Sequence, residues 1–228
     1  LCDVTETVRT GNPAAVLWDM DGTLVDTEPY WLAAETELVN SWGGEWTLED
    51  GLQLVGQGLE GSALILRSRG VDLPADEIVA LLTDRVLERI RERTPWRPGA
   101  RELLVALRER GVPTALVTMS IGRMARDIAA SLGFRAFDTI VAGDEVEHPK
   151  PHPEPYLRAA AELGVDPADC VVLEDSEPGV ASGVAAGARV IAVPLHVQLP
   201  PSPAYTLWTG GLEGVGPADL AAVPRRVR

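Results

Sequence analysis

A doubly wound, parallel α/β sheet with an inserted helical cap domain is the fold this sequence predicts, and two observations predict it. From Pro98 onward, short apolar runs alternate with helical stretches, the pattern of a parallel sheet with crossover helices. An earlier apolar run, at 14–18, is separated from them by a long helix-rich block, which therefore reads as an insertion. The 228 residues are enough for a core of ordinary size carrying a smaller second domain.

The elements follow in order. Residues 1–13 read as a partly disordered polar tail with no signal-peptide apolar region. Residues 14–18, AAVLW, stop abruptly at DMDGT, as a buried parallel strand meeting a turn does. In the block from about 30 to 93 the clearest helix follows Pro74, where Ile78, Leu82, Val86 and Ile90 recur every four residues and imply core packing. The Rossmann-like core is set at 14–27 and 97–228 and the helical cap at 28–96. Beyond the cap come a helix at 99–110 ending at Gly111, the strand VPTALVT, a helix at about 121–131 and the run FDTIVAG. A proline-rich loop, a helix near 154–163, the strand CVVLE, a helix near 177–186 and the strand ARVIAV complete the alternation. Residues 205–208 are expected as a last edge strand. The six tryptophans are expected mostly in the core, with Trp31 and Trp42 as candidates to line the cap cleft.

Composition narrows the function. A formal net charge of -14 repels nucleic acid and anionic membranes, so neither is an expected partner. A phosphorylated substrate would then need local positive charge from a metal or a lysine. No apolar stretch reaches the roughly 18 residues of a membrane span. The two cysteines, Cys2 in the tail and Cys170 opening an apolar run, are no disulfide framework and fit a reducing cytoplasm.

In doubly wound sheets, sites form at the carboxyl ends of the strands. Asp19 and Asp21, Thr118, and Glu174 with Asp175 should therefore converge, with Lys150 approaching from the loop HPKPHPEP. The flanking His148 and His152 read as exposed loop residues rather than metal ligands. DMDGTLVDTEP at 19–29, Thr118 ending ALVT, Lys150 in PKPHPEPYL and LEDSEPGV at 173–180 stand in the order of four motifs. On them the chain resembles the haloacid dehalogenase superfamily, in its capped phosphatase branch, over about residues 14–195.

That resemblance implies a magnesium-dependent phosphatase. A carboxylate nucleophile and a phosphoryl group are both anionic, so a divalent cation must neutralise their repulsion, and Mg2+ favours hard oxygen ligands. The family's roles make Asp19 the nucleophile that becomes an aspartyl phosphate. Asp21 protonates the leaving oxygen and then activates water, while its backbone carbonyl joins Asp19, Glu174 and Asp175 as metal ligands. Thr118 offers a hydroxyl to the phosphate, beside the Met119 N–H. Lys150 adds a fixed positive charge, and Gly22 and Thr23 complete the substrate contacts.

Within that branch the chain is similar to β-phosphoglucomutase and to sugar-phosphate and phosphoglycolate phosphatases. The mutase carries a histidine twelve residues after the nucleophile and an arginine in a cap loop; here Trp31 and Leu59 stand near those places, which argues against mutase activity. The expected partner is a small phosphorylated metabolite and the expected state a monomer. The cap is expected to move as a body, with residues 56–61 reaching toward the leaving group. Two alternatives remain open at this stage: a phosphomutase, and a non-catalytic binding protein on the same fold.

Overall fold

The structure, a computed structural model, describes residues 12–54 and 59–224. Most of the expected tail, with Cys2, and Gly56 and Gln57 of the cap loop lie outside the described residues. The chain divides into two compact units, one running to Val25 and resuming at Trp96, the other spanning Asp26–Pro95.

The first unit is a six-stranded sheet in the order β3-β2-β1-β4-β5-β6. Its strands are β1 (Ala15–Trp18), β2 (Thr114–Val117), β3 (Thr139–Val141), β4 (Cys170–Glu174), β5 (Arg189–Ala192) and β6 (Thr206–Leu207). Every pairing is parallel. The two-residue β6 takes the edge place expected for 205–208. Strands β1, β2, β4 and β5 are buried along their whole length, which explains runs of apolar residues in place of alternation.

On one face Ala15, Leu17, Ala115, Val117 and Val172 pack with Tyr156, Ala159 and Ala160 of α7 (Glu154–Leu163) and Val180 of α8 (Glu177–Ala185). Helix α5 (Ala100–Glu109) buries Leu103, Leu104 and Leu107, and α6 (Gly122–Ser131) buries Met124, Ala125 and Ile128. A short α9 (Pro217–Ala222) packs on α5. With β1 central and the chain continuing to β2 on one side and later to β4 on the other, the carboxyl ends of β1 and β4 form the topological switch point where such sheets bind ligands.

The second unit contains α1 (Glu28–Ser41), α2 (Leu48–Leu52), α3 (Leu59–Ser68) and α4 (Ala75–Glu92). Helix α4 buries the predicted stripe Ile78, Leu82, Val86 and Ile90, and α1 and α3 both pack against it. Thr47 and Asp50 form a reciprocal capping box at α2. The expectation for the tryptophans needs correcting. Trp18 and Trp46 are buried, Trp31, Trp96 and Trp208 are half-buried, and Trp42 is exposed, since an indole on a helix edge or loop shields apolar surface without sinking into a core. No described helix is long and apolar enough to cross a membrane.

Candidate active site

Asp19 sits one residue past β1, and its N–H reaches across to the Leu173 carbonyl at 3.0 Å, which ties it to the end of β4. Glu174 closes β4 and Asp175 follows. The switch point thus gathers three buried carboxylates, Asp19, Glu174 and Asp175, each offering an oxygen within 4.8 Å of the others.

Lys150 is the cation among them. Its Nζ donates to Asp19 Oδ1 at 2.8 Å, to Glu174 Oε1 at 2.7 Å and to the Val117 carbonyl at 2.8 Å. An ammonium has three N–H donors, so all three are engaged within the protein. Burial works against this charge, but Asp19 and Glu174 outweigh it and hold the Lys150 pKa above its ordinary value. Tyr156 lies beneath, its ring centroid 4.9 Å from Nζ.

The carboxylates differ in what they have left to offer. Glu174 Oε1 accepts from Lys150 and from the Tyr156 hydroxyl at 2.8 Å. Its Oε2 accepts from the N–H of Asp175, the N–H of Ser176 and the Ser176 hydroxyl, at 3.1, 3.2 and 3.0 Å. Five donors saturate a group with about four lone-pair positions. Asp19 Oδ2, in contrast, is buried with no hydrogen-bond partner. Burial, then the negative charge of Glu174, push the Asp19 pKa well up, Lys150 opposes them, and Asp175 adds to the rise. Burial and Glu174 likewise push Asp175 up to about 7, against Lys150. A buried cluster with an orphaned carboxylate oxygen and two carboxyl groups pushed toward protonation is short of positive charge. A divalent ion fits that deficit and that donor set.

Two glycines make the packing possible. Gly22 has φ +88, open to glycine at little cost, and a Cβ there would lie 2.1 Å from Asp175 Oδ2. At Gly179 in α8 a Cβ would lie 1.7 Å from Glu174 Oε1. Arg97 donates to the Gly22 carbonyl from behind, and its charge tempers the rise at Asp175. Thr23, expected as a substrate contact, is fully buried, and its hydroxyl lies 3.4 Å from Asp175 Oδ1, so it braces a carboxylate.

Asp21 meets the loop after β2. Its Oδ2 accepts from the Ser120 hydroxyl at 2.8 Å, while the Thr118 hydroxyl stands at 3.5 Å. Thr118 uses its N–H on the Val141 carbonyl and its oxygen to accept from the Ser120 N–H. Met119 is half-buried, and its sulfur takes the Lys150 N–H at 3.3 Å. Helix α6 starts three residues beyond Met119, at Gly122. His148 and His152 are exposed: His148 Nδ1 pairs with Glu154 Oε2 at 2.8 Å, and His152 Nδ1 accepts from the Glu154 N–H.

The structure therefore brings together every residue singled out by the motifs, and adds four the sequence reading missed: Ser120, Tyr156, Ser176 and Arg97. Of these, Ser176 carried a legible signal. A serine before Glu-Pro-Gly is a helix N-cap, and it does cap α8, accepting from the Gly179 N–H at 3.2 Å.

Comparisons with known proteins identify the family. The haloacid dehalogenase-like hydrolase family pattern matches residues 13–187. Hexitol phosphatase B of Escherichia coli (strain K12) is 33% identical over 195 residues, covering 79% of this chain and 83% of its own. Fructose-1-phosphate phosphatase YqaB of the same organism is 32% identical over 184 residues, covering 80% and 97%. The crystal structure of CbbY from Rhodobacter sphaeroides in complex with phosphate superposes with a TM-score of 0.78 at 28% identity, over 92% of this chain and 99% of that one. With four motifs converging at one switch point, the chain belongs to the haloacid dehalogenase-like hydrolase family, as a phosphoric monoester hydrolase.

Proposed function

We propose that this chain is a magnesium-dependent phosphatase that hydrolyses a small sugar or hexitol phosphate through an aspartyl-phosphate intermediate. The observation that carries the reading is Asp19: one carboxylate oxygen is fixed by Lys150, and the other is buried and without a partner at the switch point. On this reading that second oxygen is the one that attacks phosphorus. The sugar or hexitol identity is carried over from the relatives' names.

Asp19 Oδ2 forms a bond to phosphorus as the bond from phosphorus to the substrate oxygen breaks, and Asp21, protonated, gives its proton to that leaving oxygen. The Asp21 carboxylate then takes a proton from water, whose oxygen attacks the aspartyl phosphate, frees inorganic phosphate and restores Asp19. Mg2+ would be held by Asp19, Asp175 and the Asp21 backbone carbonyl, and would supply positive charge against the repulsion of carboxylate and phosphate. Glu174, saturated by five donors, supports that set by fixing Lys150 and the turn into α8. The proposed setting is a monomer in the cytoplasm, where the buried Cys170 stays a thiol.

The test is phosphate release from a panel of hexitol, hexose and small polyol phosphates by metal-stripped protein, with and without Mg2+, alongside rapid-quench trapping of labelled phosphoenzyme. The expected outcome is Mg2+-dependent release and a trapped phosphoenzyme on Asp19. Full activity in excess chelator defeats the metal assignment. Conversion of one sugar phosphate to its positional isomer without phosphate release defeats hydrolysis in favour of a mutase.

A further inference from the structure

We propose that Ser120 is a positioning residue for Asp21, holding its carboxyl group in place through both proton transfers; this rests on the role of Asp21 given above. The Ser120 hydroxyl is 2.8 Å from Asp21 Oδ2, although the two residues are 99 apart in sequence. The Thr118 hydroxyl reaches the same oxygen only at 3.5 Å, the limit of a useful hydrogen bond. Labour is thus divided within one turn. Thr118 is the expected phosphate contact, and Ser120 holds the acid.

The backbone that presents Ser120 is fastened on three sides. Its N–H donates to Thr118 Oγ1 at 3.0 Å, and its carbonyl accepts from the Gly143 N–H at 3.0 Å. Gly143 lies so near that a Cβ would stand 2.3 Å from the Met119 carbonyl oxygen. Two residues on, the Gly122 N–H donates to Asp144 Oδ1 at 2.8 Å. A serine hydroxyl on a fixed backbone has one side-chain torsion to settle, so little entropy is lost in aiming it.

The choice of a hydroxyl suits the task. Asp21 alternates between carboxylic acid and carboxylate in each turnover. The Ser120 hydroxyl donates to Oδ2 in both states, which leaves the acid proton on Oδ1, free for the leaving oxygen. A lysine in its place would favour the carboxylate over the acid through its charge, whereas a neutral hydroxyl holds both.

The experiment compares wild type, Ser120→Ala, Ser120→Thr, Asp21→Asn and the double variant Asp21→Asn with Ser120→Ala, all with Mg2+. It measures kcat and KM on a hexitol phosphate, phosphoenzyme formation from p-nitrophenyl phosphate, and thermal melts. Ser120→Ala is expected to lose roughly tenfold in kcat at unchanged KM and melting temperature. Ser120→Thr, which keeps the hydroxyl, should recover most of that loss. Phosphoenzyme formation from p-nitrophenyl phosphate, whose leaving group needs little protonation, should stay near the wild-type rate in Ser120→Ala. Because Ser120 acts through Asp21, its removal should cost nothing further in the Asp21→Asn background. The proposal is overturned by an undiminished Ser120→Ala, by a loss confined to KM, or by the same tenfold loss in the double variant. Near-wild-type turnover by Asp21→Asn would bring down the Asp21 assignment itself and this proposal with it, whereas a crippled Asp21→Asn beside a fully active Ser120→Ala brings down the proposal alone.

Discussion

The core unit buries Asp19, Glu174 and Asp175 around Lys150, whereas the cap unit buries Glu35 of α1, whose Oε2 accepts from the Trp46 indole at 3.2 Å. Both arrangements set carboxylates against the cost of leaving water, but they settle it differently. In the core, a lysine, a tyrosine, a serine and backbone N–H groups converge, and still one oxygen of Asp19 is left over. In the cap, nearby arginines have other partners: Arg89 pairs with Glu37, Arg69 with Asp50, and Arg85 donates to the Ala34 carbonyl. Burial, moderated by Trp46 and reinforced by Glu28, pushes Glu35 up to about 7. The lesson is that a buried acid marks chemistry when its surroundings are built to receive another charge, and a structural compromise when they are not.

Three substitutions or conditions press on that contrast, beginning with the largest expected effect. Asp19→Asn should lower kcat on the order of ten-thousandfold or more, since an amide keeps the shape but cannot attack phosphorus. It should leave the metal-free melting temperature at pH 8 no lower than wild type, because it removes a repelling buried charge. Retained hydrolysis would show water attacking directly; a lowered melt would show that Asp19 serves the fold.

The next effect is on pH and metal together. Asp175 is raised from 3.8 to about 7 in the folded protein, so between those values the folded state holds more protons than the unfolded. Stability of the metal-free protein must then fall as pH rises through that window. Mg2+ should reverse the fall, with a melting-temperature gain larger at pH 8 than at pH 5. A gain independent of pH would mean that the ion does not engage these carboxylates.

The smallest effect belongs to the cap. Glu35 is raised from 4.5 to about 7, so by the same sign its contribution to stability is lost as pH climbs through that range. Glu35→Gln keeps an acceptor for Trp46 and removes the charge. It should raise the melting temperature at pH 8 by a few degrees, on the order of 1 kcal/mol, and do almost nothing at pH 4. Turnover of p-nitrophenyl phosphate should not change. A fall in that turnover would place Glu35 among the groups that matter for chemistry and erase the contrast drawn here.

The sheet was legible because each strand is a short apolar run cut off by a turn residue or a reactive one, and the switch point turns those cut-offs into one place. Asp19, Asp21, Thr118, Glu174 and Asp175 stand at or just past those cut-offs, and Lys150, in the loop between β3 and α7, joins them there. The supports were not legible. Tyr156 looks like any aromatic on the buried face of α7, and nothing local says that its hydroxyl ends 2.8 Å from Glu174. Ser120 meets Asp21 only through the register of β1 beside β2. In the cap, periodicity revealed the buried stripe of α4, but a carboxylate at position 35 carries no sign of its burial. Amphipathic patterns report faces; they do not report which single polar atom on a face has been enclosed.

The two glycines that crowd the carboxylates extend this site to positions with no functional group at all. At Gly22 and Gly179 there is no room for a methyl beside Asp175 and Glu174, whereas at Gly210 the same methyl would meet open space. Evolutionary drift is therefore constrained where nothing reacts. A descendant of this chain could keep every acid, the lysine and both hydroxyls and still fall silent through one alanine, so inheritance of the motif residues is a necessary record of activity in this lineage and an incomplete one.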